Sequence, residues 1–163
     1  MTRLFILTAF SGLLATAASA DTMMLGMVAN GTVAREQPLA APYAICILGG
    51  GATDPVVDAL VEKGFVREDD TEMQVTTLTS PEADYAVTLY DDGAICDVTS
   101  ETTGTNDAMM ALMVVGGLAG FEGVGGECSA LRIAGVVAEV TSSGNDPVCH
   151  DEGTSNVRFT FAE

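Results

Sequence analysis

Positive charge is nearly missing from this chain: six Lys and Arg stand against 23 Asp and Glu in 163 residues. Binding to a phosphate backbone needs clustered cations. Arg35, Lys63, Arg67, Arg132 and Arg158 are scattered among acids, so nucleic acid is not an expected partner. Histidine occurs once, as His150, and any Ser-His or Cys-His mechanism must therefore run through it. Its neighbour is Cys149, adjacent side chains of an extended loop point apart, and no serine lies in a G-x-S-x-G elbow. His150 is read as a solvent-facing loop residue. The chain also lacks C-x-x-C, which removes the usual thiol-disulfide oxidoreductase motif and the commonest structural zinc spacing. It lacks G-x-G-x-x-G, and no Lys-Ser/Thr follows Gly49-Gly50-Gly51, where Asp54 and Asp58 would repel a phosphate. That triplet is read as a turn, and no cofactor is expected. No apolar run reaches the roughly 20 residues that a membrane-spanning helix requires.

What is present points out of the cytosol. Arg3, the apolar run Leu4 to Leu14 and the small residues Ala18-Ser19-Ala20 have the layout of a cleavable secretory leader over residues 1–20. No Cys follows the cleavage point and Arg3 stands alone, so neither a lipid anchor nor a twin-arginine route is suggested. Cleavage after Ala20 would leave 5 basic against 23 acidic residues, a formal charge of −18, in a periplasmic or extracellular protein. Four Cys in such a compartment predict two disulfides. Three pairings are possible. Cys46 with Cys96 and Cys128 with Cys149 are expected, since the latter closes a short segment and the former ties a helix start to a strand.

Residues 21–43, with Gly26, Gly31, Pro38 and Pro42 and no sustained period, read as a loosely packed N-terminal arm that supplies at most a strand around Met24 to Val28. A single domain over 44–163 follows. Asp54 and Pro55 open a helix that ends at Gly64, with Val57, Leu60, Val61 and Phe65 on one face. Beyond an acidic loop at Glu68-Asp69-Asp70, strands are predicted over 73–79, 85–90 and 94–98, the last two joined at Asp91-Asp92-Gly93. Thr105 caps a second helix to about Gly120, apolar on every face and so expected to be buried, with Met109, Met110 and Met113 filling core. Gly123, Gly125 and Gly126 read as a flexible joint. Strands over 132–141 and 156–162 complete the chain. The fold expected is a small α+β two-layer sandwich, an antiparallel sheet of about five strands covered by two helices. Helix followed by strands occurs twice, around 54–98 and 105–162, as a diverged duplication would give.

Function must be argued from a site, and no catalytic constellation is legible. The expected role is an exported, acidic, non-catalytic interaction module, an inhibitor or scavenger of a basic secreted protein or peptide, since a field of one sign steers cationic partners. Two alternatives remain. One is a calcium or small-ligand module whose oxygen ligands come from Asp91, Asp92 and Asp97 or from Asn145, Asp146, Asp151 and Glu152, although neither set has the ordered D-x-D-x-D-G spacing. The other is an enzyme with a carboxylate-only site.

Overall fold

The computed structural model describes residues 17–124, 130–141, 150 and 152–161. Its elements are α1 (Ala17–Ala29), α2 (Ala40–Gly49), α3 (Thr53–Glu62), β1 (Val66–Asp70), β2 (Val75–Thr79), β3 (Tyr85–Tyr90), β4 (Ile95–Ser100), α4 (Thr105–Ala119), β5 (Phe121–Val124), β6 (Ala130–Ile133), β7 (Val136–Thr141) and β8 (Ser155–Thr160). The fold is α+β, and larger than expected: the described residues form four helices and one sheet of eight strands in the order β1-β2-β3-β4-β8-β7-β6-β5. Every pairing is antiparallel.

That order has an internal symmetry. A helix followed by a four-strand meander occurs twice, α3 with β1 to β4 and α4 with β5 to β8, and the two meanders meet at β4 and β8. Each half alone would leave its innermost strand as an open edge, so pairing β4 with β8 satisfies both sets of backbone groups at once. Strand alternation supplies the core face: Leu78, Val87, Val98, Val157 and Val140 form one cross-strand row, and Leu89, Cys96, Phe159, Ala138 and Leu131 the next. All ten are buried.

The N-terminal reading needs correction. Residues 21–43 do not form a loose arm, and Met24 to Val28 lies in α1 rather than in a strand. Leu25, Val28, Leu39 and Tyr43 belong to the same core as the sheet. The reason is position: α2 is the central helix, buried from Pro42 to Ile47 and packed against α1, α3, α4 and β4. A helix enclosed on all sides has no polar stripe to reveal a period. Its Pro42 falls in the first turn, where a missing N–H breaks no intrahelical bond. Gly50 then ends it at φ 64°, its N–H donating to the carbonyl of Ile47. The glycine triplet is thus the α2–α3 turn.

Other boundaries shift. α3 starts at Thr53 with Ala52 at its cap, so Asp54 sits in the first turn and does not cap. Glu68-Asp69-Asp70 is strand β1 rather than a loop, and 121–124 is strand β5 rather than part of a joint. The strand expected over 132–141 is two, β6 and β7, joined by Ala134-Gly135 with φ 50° and 86°, the positive pair that a tight hairpin needs. α4 is buried on one side only, through Ala108, Ala111, Leu112, Val115 and Ala119. Met109 is half-buried, but Met110 is 56% exposed and Met113 46%, so they do not fill core.

Cys46 and Cys96 are bonded as expected, but Cys46 lies in the second half of α2 rather than at a helix start, so the bond joins that helix to β4. Both are buried. The other expected pair, Cys128 with Cys149, lies outside the described residues. Among the described residues, no helix is long and apolar enough to cross a membrane.

Candidate functional site

Two polar constellations stand out, one at the edge of the sheet and one at its centre. The first is a cleft of about 480 Å³ between the start of α3 and the β1–β2 hairpin. Asp54 and Thr53 come from α3, Arg67, Asp69 and Asp70 from β1, Thr76 from β2 and Asp92 from the β3–β4 turn. Four carboxylates and one guanidinium thus line the cleft.

Backbone geometry builds this cleft. Gly93, at φ 99°, presses the β3–β4 turn onto the start of α3: a Cβ there would lie 2.5 Å from the backbone of Ala52 and Thr53. Asp92, next to Gly93, and Asp54, next to Thr53, thereby line the same cleft. On the far side Asp70 Oδ1 accepts the backbone N–H groups of Glu72 and Met73, each at 3.0 Å, and so shapes the turn from β1 to β2. Asp69 accepts from Thr76 Oγ1 at 2.8 Å and from Arg67 Nε at 2.9 Å. The Thr76 hydroxyl, followed by the Arg67 guanidinium, holds the Asp69 carboxyl below its usual range. Asp69 is therefore charged, with its cation already beside it. Asp54 and Asp92 are exposed, and Asp54 lies at the positive end of α3, where a carboxylate is favoured.

The second constellation sits on the sheet face turned away from the helices. Asp97, Arg158 and Glu139 stand in one cross-strand row on β4, β8 and β7. Asp97 is only 3% exposed. Asn156 Nδ2 donates to its Oδ2 and Arg158 Nε to its Oδ1, each at 3.4 Å. Burial raises the Asp97 pKa, against the Arg158 charge and the two donors, which lower it. Asn156 is held in turn by Thr99, whose hydroxyl donates to its Oδ1 at 3.2 Å. This is a seam between the two meanders, in which the acid of one half meets the cation of the other.

Among the described residues, the oxygen ligands expected from the sequence lie at separate places. Asp91 and Asp92 lie in the exposed β3–β4 turn, whereas Asp97 is on β4 with its oxygens engaged by N–H donors. Asn145, Asp146 and Asp151 lie outside the described residues. Glu152 is described, and its backbone is tied to the start of α4. Thr105 N–H donates to the Glu152 carbonyl at 3.0 Å, and Thr105 Oγ1 accepts from the Glu152 N–H and donates to the His150 carbonyl, each at 2.9 Å. Thr105 thus anchors the C-terminal loop, and the cap of α4 is Gly104. Among the described residues no three His, Cys, Asp or Glu side chains are placed to hold a metal ion. The His150 side chain is 73% exposed, with Nε2 3.1 Å from Glu152 Oε1.

Of the cleft residues, the sequence singled out Asp92 as a ligand, Asp54 as a cap and Asp69-Asp70 as a loop. The available signal was the density of acids over 68–72; their convergence with Asp54 depends on the contact at Gly93, which no local pattern encodes. No family model, no curated protein and no solved structure matches this chain.

Proposed function

We propose that this protein is an exported, non-catalytic interaction module that docks a basic secreted protein or peptide as an inhibitor or scavenger. The observation that carries this reading is the edge cleft, which Asp54, Asp69, Asp70 and Asp92 line from its two sides and whose one cation among the described residues, Arg67, is paired to Asp69. The strand beside it, β1, is an outer strand exposed along its whole length. Its acids guard that edge against a second copy of the same chain, yet the same charges attract a cationic one. The chain carries −17 in total, so long-range steering adds to the local field.

Export is supported by the leader pattern and by a disulfide buried in the core. Cleavage after Ala20 would trim α1 to its part from Asp21 onward and keep Leu25 and Val28, the residues by which it joins the core.

The test is retention of basic exported proteins on the immobilised protein at low and high salt, compared with an Asp54→Asn/Asp70→Asn/Asp92→Asn variant. Basic proteins are expected on the wild type at low salt, released as screening shortens the range of the field. The variant is expected to retain about tenfold less, a change of ~1.4 kcal/mol. Equal retention by wild type and variant would remove the cleft from the reading, and no basic protein held at low salt would remove the reading itself.

A further inference from the structure

The outer side of α4 is the other unusual surface. Along it Asn106, Met110, Met113 and Gly117 recur at helical spacing and are exposed, with Val114 half-buried beside them. Exposed helix faces in soluble proteins are normally polar, but this one carries no charge beyond Asp107 in the first turn. Phe121, 44% exposed, packs its Cβ against Gly116 and extends the apolar area past the helix end. A Cβ placed on Gly117 meets nothing within 4 Å, so the stripe lies open one turn beyond Met113. Two flexible thioether side chains one turn apart, with open space beyond them, form an adaptable surface for a ridge of apolar side chains.

We propose that this stripe docks an amphipathic helix of cationic character, contributed by the partner. The assignment rests on the reading of a basic partner given above and names the segment that makes contact. Charge complementarity selects the occupant. The stripe has no basic residue along α4, and at its N-terminal end Asp107 shares a small cavity with Glu36. A second copy would bring another chain of −17 to the same surface, whereas a helix with apolar residues on one side and Lys or Arg on the other offers Met110 and Met113 an apolar ridge and Glu36 and Asp107 a cation.

The test uses the oxidised protein as recovered from its host and two peptides of equal positive charge. One is a Leu/Lys peptide of about 18 residues with a 3.6-residue period; the other is a Gly/Lys peptide without an apolar face. Wild type is expected to bind the Leu/Lys peptide about tenfold more tightly. Met110→Gln/Met113→Gln should abolish that preference while leaving the circular dichroism and melting temperature unchanged, since both side chains are exposed. A preference that survives in this variant overturns the assignment. If both peptides bind equally and only the cleft variant weakens them, the stripe assignment falls and the basic-partner reading stands. If neither binds at low salt, both fall. A wild-type dimer in sedimentation that the Met variant dissociates would make the occupant a second copy and overturn the proposal.

Discussion

In the first half of the sheet a ten-residue helix, apolar on one face, leads into a meander whose outer strand is exposed along its length and ends in Glu68, Asp69 and Asp70. In the second half a fifteen-residue helix, apolar all round, leads into a meander whose outer strand reads Phe-Glu-Gly-Val. The topology repeats, and so does the inner face, where Val98 of one half stands opposite Val157 of the other. The outsides differ. α3 turns Asp54, Asp58 and Glu62 to solvent, whereas α4 shows Met110 and Met113. A core row tolerates little change in volume, while surface positions away from special contacts cost little to vary. One plan can thus carry an acidic cleft at one end and an apolar stripe toward the other.

The largest way to break the comparison is to cut the link that favours one half. The Cys46–Cys96 bond joins the central helix to β4, in the first meander, across a sequence separation of 50. In the chain-entropy account a loop of that length is worth about 4 kcal/mol. Cys46→Ala/Cys96→Ala should lose roughly that amount in denaturant unfolding. Hydrogen exchange should rise first in β3 and β4 if the halves are separately supported. Equal loosening of β7 would show that the two meanders unfold as one.

Next in size is a pair of glycines, one from each half. Gly93 is buried at φ 99° with backbone 2.5 Å from where a Cβ would stand, so Gly93→Ala should cost more than about 2 kcal/mol. Gly117 lies in an exposed helical position with free space around it, so Gly117→Ala should stabilise by about 0.5–1 kcal/mol. Thermal melts of the two variants should therefore move in opposite directions. A neutral Gly93→Ala would mean that the turn does not press on α3 as described, and the cleft would lose its geometric basis.

The same contrast explains what the residues disclose before folding. β3 alternates in burial, apolar and polar residues alternate over Cys96-Asp97-Val98-Thr99 and over Asn156-Val157-Arg158-Phe159-Thr160, and α3 has one apolar stripe, so each is readable from its period. α2 is not, because an enclosed helix has no polar face to set against an apolar one, and α1 is not, because its exposed Met23 is as apolar as its buried Leu25 and Val28. β1 fails for the opposite reason: Val-Arg-Glu-Asp-Asp is exposed throughout, and its strand state is imposed by pairing with β2. Ala134 hides a hairpin because the usual signal at that position is Asn or Asp. The cleft depends on one turn meeting one helix start, and the seam on the register of strands 61 residues apart. Neither is a local property.

The smallest effect separates the two acids that the halves treat differently. Asp97, at the seam, has its pKa raised by burial; Asp69, at the edge, has its pKa lowered by the Thr76 hydroxyl and Arg67. For Asp97 the native state holds the proton more readily than the unfolded chain, so over the window from 3.8 up to its raised value stability falls as pH rises. The stability of wild type relative to Asp97→Asn should therefore improve on acidification from neutral pH and level off below 3.8. For Asp69 the unfolded chain holds the proton more readily. Relative to Asp69→Asn, wild type keeps its advantage above 3.8 and loses it as pH falls through the lowered native value. Urea unfolding of the three proteins across that range should give difference curves of opposite slope. Two curves of the same sign would mean that charge at the seam is favoured as it is at the edge, and that Arg158 more than offsets the burial of Asp97.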